Sequence, residues 1–275
     1  MTTQAAAVES DTHRGRLESE PVTLPRAVRS EWIKFKTLRS SWALLGGAAC
    51  GMVAIALIVA YNTRHLTANL QLDDLAKSST LQGYHLGELL IGALGVLFVT
   101  SEYSTGMIRS TLAAVPTRTP VLWAKLAVFV SVVAAVMIPV SVMAFASAQA
   151  LISHTRVGYS LGDPGVLRLV IGTGIYLTLV GVIAAAIGWL IRNTAGAIVA
   201  YIAVILVIPG ILEGLLGNWG RHMAEFLPSR AGESFSTTFV EGGPNLKPWT
   251  GLAVMSLWVI GLLAIAIVQL RHRDA

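Results

Sequence analysis

Six apolar runs divide the chain, at residues 41–63, 81–101, 126–153, 169–190, 196–212 and 248–270. Each reaches the roughly 17–25 residues that a helix needs to cross a hydrocarbon core. Glu88 is the one acidic interruption, inside the second run. The third is longer than a bilayer needs and contains Pro139. It is expected to tilt, to kink at the proline or to project from the membrane. The first run carries Gly47 and Gly51, a small-xxx-small pair that permits close helix approach. The pattern predicts an all-α membrane protein with six transmembrane helices.

The segment before the first run is patterned differently. Over residues 27–40, Val28, Trp32, Phe35 and Leu38 recur at three- and four-residue steps, with Ile33 beside them. Arg29, Glu31, Lys34, Lys36 and Arg39 fill the other face. This predicts a short basic amphipathic helix in the headgroup plane, with Trp32 and Phe35 toward the apolar layer and Lys34, Lys36 and Arg39 toward anionic lipid. Residues 1–26 are polar and poor in aromatics, and are expected to form a disordered tail. No cleavable signal peptide is apparent, so the first span is expected to act as the targeting signal.

Composition agrees with the pattern. Of 275 residues, 54% are hydrophobic and 13% charged. A soluble domain carries about 25% charged residues. The placement of charge gives the orientation. With both termini inside, 13 of the 20 Lys and Arg residues lie on the inner side and 7 on the outer. This bias predicts cytoplasmic termini in the cell (plasma) membrane. Residues 102–125 then form an inner connector and residues 217–247 a long outer loop. The turn at 191–195 is short and polar, and Glu213, just after the fifth run, is expected to be solvated.

Several chemistries are excluded. There is no Gly-Lys dipeptide, and therefore no phosphate-binding P-loop. The chain is expected to hold no cofactor of its own, and nothing points to nucleic acid. His-Glu-x-x-His is absent, and the single cysteine, Cys50, excludes an intrachain disulfide and any Cys-cluster metal site. One string, Gly158-Tyr-Ser160-Leu-Gly162, matches Gly-x-Ser-x-Gly, with His154 and Asp163 nearby. A nucleophile elbow needs a strand before it and a helix after it on an α/β sheet. Between two membrane helices these glycines read as loop formers.

Two places remain as candidate sites. Glu88 lies inside a span, with His85 three residues earlier on the same helical face. Such a pair is either a proton- or substrate-contacting site or a wetted or paired carboxylate near the outer mouth. Its place in the first third of the span favours the latter. The second place is the connector. Tyr103 to Leu112 can form a short helix, ended by Pro116, and Thr119-Pro120 can start the next. Glu102 is expected to pair with Arg109 or with a partner's basic residue. Met107, Ile108, Leu112 and Val115 make an odd surface unless membrane or protein covers them.

Here the sequence resembles the permease subunit of an ATP-binding-cassette transporter of the type-2 exporter superfamily. The resemblance rests on Arg29-Ser-Glu-Trp-Ile-Lys-Phe-Lys-Thr-Leu-Arg39 before the first span, and on Ser101-Glu-Tyr-Ser-Thr-Gly-Met-Ile-Arg-Ser-Thr-Leu-Ala-Ala-Val-Pro116 with Ala124-Lys125 after it. The six-span layout and Leu227-Pro-Ser-Arg-Ala-Gly232 in the long loop support it. It implies a half-transporter that pairs with an identical or related permease. A separate nucleotide-binding subunit would hydrolyse MgATP beneath it. Glu102, Tyr103, Gly106, Met107, Ile108, Arg109 and Leu112 would then contact that ATPase. Gly106 would allow close backbone approach, and Arg109 would meet an acidic residue. Two other readings use the same residues: an intramembrane enzyme or proton-coupled carrier built on Glu88 and His85, and a membrane scaffold or sensor that transports nothing.

Overall fold

A computed structural model describes residues 23–63, 81–104, 119–152, 160–236 and 246–272. Among these residues there is no strand. The helices are α1 (Leu24–Thr37), α2 (Arg39–Thr63), α3 (Tyr84–Ser104), α4 (Thr119–Ile152), α5 (Val166–Ile191), α6 (Thr194–Leu215), α7 (Gly217–Ala224), α8 (Pro228–Ser236) and α9 (Pro248–His272). Six of them, α2 to α6 and α9, are long and apolar enough to cross a membrane. Each includes one predicted run, apart from residues 81–83 and 153 at two run ends. We call the end that holds Arg39, Ser104, Thr119 and His272 basal, and the opposite end distal.

The elements follow from local sequence. Pro25 sits in the first turn of α1, where its missing N–H costs nothing. Leu38 is extended and separates α1 from α2. α4 has 34 residues and rises about 50 Å. It runs through Lys125, where the sequence boundary had been drawn on charge. Its first turns therefore extend past an apolar core about 30 Å thick. α6 changes to π-helix over Ala203–Val207, just before Pro209. A π-bulge is one way to take up the ring and the missing donor of a proline.

α5 is the centre of the bundle, packed against α3, α4, α8 and α9. It is 83% buried, against 22–28% for α2, α6 and α9. Small residues explain this. A side chain at Gly95 of α3 would run into the carbonyl of Gly181, and one at Gly174 would meet the backbone of Ile138, beside Pro139. Close backbone approach of this kind is how helices gain contact where lipid is as apolar as leucine. Hydroxyls inside the spans bond back to their own helix, as in Thr100 to the Val96 carbonyl at 3.0 Å and Thr178 to Gly174 at 2.8 Å. No polar hydrogen of these groups is then left to hydrocarbon.

The turn Ser160–Asp163 is of the kind expected of loop formers. The Ser160 N–H donates to Asp163 Oδ2 at 2.8 Å, and the Gly162 N–H to Ser160 Oγ at 3.3 Å. No strand precedes α5 among the described residues. His154, Gly158 and Tyr159 lie outside them, as do residues 1–22 of the predicted tail and the first loop at 64–80. The last residues of that tail, Leu24–Arg26, are helical and open α1, where Pro25 fits the first turn.

Candidate functional site

The basal end holds a group of four charges, three of them buried and the fourth, Lys34, half-buried. On α1 the inward seam is Ala27, Val28, Glu31, Lys34, Phe35 and Leu38, at four- and three-residue steps. Glu31 and Lys34 therefore turn into the protein. Trp32, Ile33, Lys36 and Arg39 are exposed. The predicted apolar face set Val28, Trp32, Phe35 and Leu38 toward the apolar layer, whereas Val28 and Phe35 pack on the core of the bundle and Trp32 is exposed. The same pattern placed Lys34 toward lipid headgroups, where the structure turns it toward α3. The reason is the pair of charges that await it. Lys34 Nζ donates to Glu31 Oε1 at 2.6 Å and to Glu102 Oε1 of α3 at 2.7 Å.

Lys125 of α4 completes the group. Its Nζ donates to Glu102 Oε1 at 2.9 Å. It also lies 2.6 Å from Glu31 Oε2, an ion pair without hydrogen-bond alignment. Lys125 and Glu102 are each 3% exposed. Aromatic rings line the floor: Lys125 Nζ stands 4.5 Å over the Phe98 ring, and Phe98 meets Phe35 edge-on at 5.3 Å. Burial pulls the Lys34 ammonium toward neutrality, but its bonds to Glu102 and Glu31 outweigh this and hold its pKa above the ordinary value. Among the described residues two carboxylates face two ammoniums, and their charges balance.

The α5–α6 turn abuts the same end of α3. Arg192 takes a left-handed conformation at φ 58° and stacks over the Tyr103 ring at 5.5 Å. Asn193 caps α6 by accepting from the Gly196 N–H at 2.9 Å. Thr194 Oγ1 and Thr100 Oγ1 bond at 2.8 Å. Thus Glu102 and Tyr103 are packed inside the bundle. Gly106, Met107, Ile108, Arg109 and Leu112 lie outside the described residues, so the expected Glu102–Arg109 pair lies there too. Among the described residues Glu102 accepts from Lys34 and Lys125.

The distal end holds a second polar group, built by α8. This helix, inside the long loop, buries Pro228, Ser229, Ala231, Gly232, Ser234, Phe235 and Ser236. A side chain at Gly232 would collide with Tyr176 and Met255, so glycine is what lets α8 sit against α5 and α9. Arg168 Nη1 holds its last turn by donating to the Phe235 carbonyl at 2.6 Å. Seated there, α8 presents Arg230 and Glu233 to α3 and α6. Arg230 donates from Nε and Nη2 to the two oxygens of Glu213 at 2.6 and 2.8 Å, and from Nη1 to Glu233 Oε2 at 2.8 Å. Glu213 is therefore clamped by a guanidinium, contrary to the expectation of a solvated side chain. Burial opposes the charge on Arg230, but Glu233 and Glu213 more than compensate and raise its pKa.

Glu88 lies beneath this clamp and is 3% exposed. It is paired, as one sequence reading allowed, but not wetted. The Tyr176 hydroxyl donates to its Oε2 at 2.9 Å, and the Tyr201 hydroxyl to its backbone carbonyl at 2.8 Å. His85 Nδ1 stands 4.0 Å from the same carboxylate oxygen. The Tyr84 hydroxyl reaches Glu233. Sequence reasoning found His85 and Glu88 but missed Tyr176, Tyr201, Arg230 and Glu233. Two tyrosines deep inside apolar runs were the available signal, since a buried hydroxyl seeks a partner.

A scan against family models matches residues 27–210 to the ABC-2 family transporter protein model. No curated protein matches the chain. The matched segment runs from α1 into α6 and takes in the basal group. Glu213, Arg230 and Glu233 lie beyond it. Six apolar helices, together with a match that covers most of the chain, make this a multi-pass permease belonging to the ABC-2 transporter family.

Proposed function

We propose that this permease is half of an ATP-driven exporter. It pairs with a second permease subunit and is driven by a separate nucleotide-binding subunit that binds MgATP. The basal end faces the cytoplasm of the cell, in keeping with the Lys and Arg bias. The ATPase docks on the connector, residues 102–125, with Glu102, Tyr103, Gly106, Met107, Ile108, Arg109 and Leu112 at or behind the contact.

One observation carries this reading. Glu102 and Lys125 stand at the two ends of the connector and pair with each other, and each is tied to α1, Glu102 through Lys34 and Lys125 through Glu31. A push on the connector therefore moves α1, α3 and α4 as one body. Loops alone would dissipate it. Buried charge pairs resist separation because a bare ion in a low-dielectric setting is costly. α1, with Trp32, Ile33, Lys36 and Arg39 exposed, slides along the membrane surface as the body tilts.

The test is an affinity pull-down from detergent-solubilised membranes in the presence of an ATP analogue. Wild type is compared with a Gly106→Pro, Arg109→Glu double variant. Wild type is expected to recover an ATPase subunit and the variant to lose it. Absence of an ATPase from both, with a neighbouring one co-expressed, overturns the proposal.

A further inference from the structure

We infer that His85, Glu88 and Glu233 form a binding site for a divalent transition-metal ion of the zinc type at the distal end of the permease. Three observations lead there. The first is convergence. One ligand atom from each residue lies within 4.8 Å of the others, with two residues on α3 and one on α8. His85 and Glu88 are three apart on one helix, a spacing that lets an imidazole and a carboxylate reach one ion. Ligands about 2.0–2.1 Å from a tetrahedral zinc ion are about 3.3 Å apart, so side-chain rotations of about an ångström close the shell.

The second observation is charge. Among the described residues Arg230 is the guanidinium ion-paired in this group, with Glu213 and Glu233, and Glu88 lies beside Glu233. With all four groups ionised, the group carries two uncompensated negative charges. Arg230 is committed to Glu213 and Glu233, and no lysine or arginine pairs with Glu88 among the described residues. A second cation, Arg168, donates to the Phe235 carbonyl, two residues past Glu233 on α8. A divalent ion balances the excess. Carboxylate oxygen with imidazole nitrogen is a donor set that suits zinc.

The third observation is access and completion. Glu88 is buried, but the His85 side chain is 56% exposed, so an ion has a route in from the distal surface. Ser229 lies one turn before Glu233 on the same face of α8. It is 3% exposed and its hydroxyl has no partner, which suits a water molecule on the ion. Because the ligands come from α3 and α8, a bound ion fastens α8 onto the bundle.

The experiment uses the full chain, purified in detergent and stripped with chelator, and titrates Zn²⁺ against a chromophoric competitor. Wild type is expected to bind one ion per chain. His85→Ala, Glu88→Gln and Glu233→Gln should each weaken binding at least tenfold. The pair His222–Glu225, 3.3 Å apart with the same i,i+3 spacing and with its imidazole exposed, supplies the control, and His222→Ala should leave binding unchanged. No binding by wild type, or binding that survives the three substitutions and falls with His222→Ala, overturns the inference. X-ray absorption on zinc-loaded wild type gives an answer independent of variant folding. One imidazole with oxygen ligands is expected, and a sulfur ligand or several imidazoles refutes the site. The outcome does not depend on the ATPase, so it is separate from the test of transport.

Discussion

The two ends of the bundle handle buried charge in opposite ways. At the basal end two carboxylates meet two ammoniums, and every member touches at least two others of opposite or like role across three helices. At the distal end Glu213 and Glu233 share one guanidinium, and Glu88 is left with hydroxyl and imidazole neighbours among the described residues. The first arrangement is complete within the chain and behaves as a rivet. The second is incomplete and invites a proton, an ion or a movement of α8. Stability is therefore concentrated at the end with the connector. Adaptability lies at the end closed by a short helix in a loop.

Removing one charge from each end makes the contrast measurable. Glu102→Gln should give the largest effect. It leaves Lys34 and Lys125 facing Glu31 alone, and stripping one partner from a buried ion group costs about 3 kcal/mol. Thermal unfolding in detergent should show a clear drop in midpoint, with α1 becoming protease-sensitive. An unchanged midpoint would mean that the basal group is not a rivet.

Alkaline titration should give an intermediate effect. Lys34 has a folded pKa above its ordinary 10.5. Its contribution is fully present below that pH and is lost as pH rises through the raised value. Trp32 fluorescence, reporting on α1, should therefore stay flat from neutral pH to about 10 and change only above 10.5. A transition near pH 8 would show that Lys34 is not held by Glu31 and Glu102.

Glu88→Gln should give the smallest effect on stability, within about 0.5 kcal/mol in the absence of metal. The substitution keeps shape and lets Tyr176 still donate to an oxygen. A midpoint loss as large as that of Glu102→Gln would show that the distal carboxylate is compensated after all, and would erase the contrast between the two ends.

Much of this was legible in the chain itself. Six apolar runs gave six spans, because backbone groups in lipid must be satisfied within a helix and only long apolar segments tolerate that setting. Val28, Phe35 and Leu38 were readable as one face of α1 from their spacing. Pro120 marked a helix start, whereas Pro25 had been left in the tail. His85 and Glu88 stood out because charge inside a span is rare. The loop 217–247 was less legible. Its polar α8 reads as surface by composition, and Gly232 gives no sign of the ring it will touch.

Composition and period thus determined the class, the number of spans and the position of α1, since hydrophobicity acts residue by residue along the chain. The partners of charges were decided only by tertiary structure. Glu31 and Lys125 are 94 positions apart, and Glu88 and Glu233 are 145 apart. Periodicity reports which face of a helix a residue occupies, and carries no information on which distant helix that face will meet. Small residues set those meetings: Gly95 against Gly181, Gly174 against Ile138, and Gly232 against Tyr176. Backbone approach at these three points fixes which buried charges come together, and so makes one end of the permease a rivet and the other a candidate binding site.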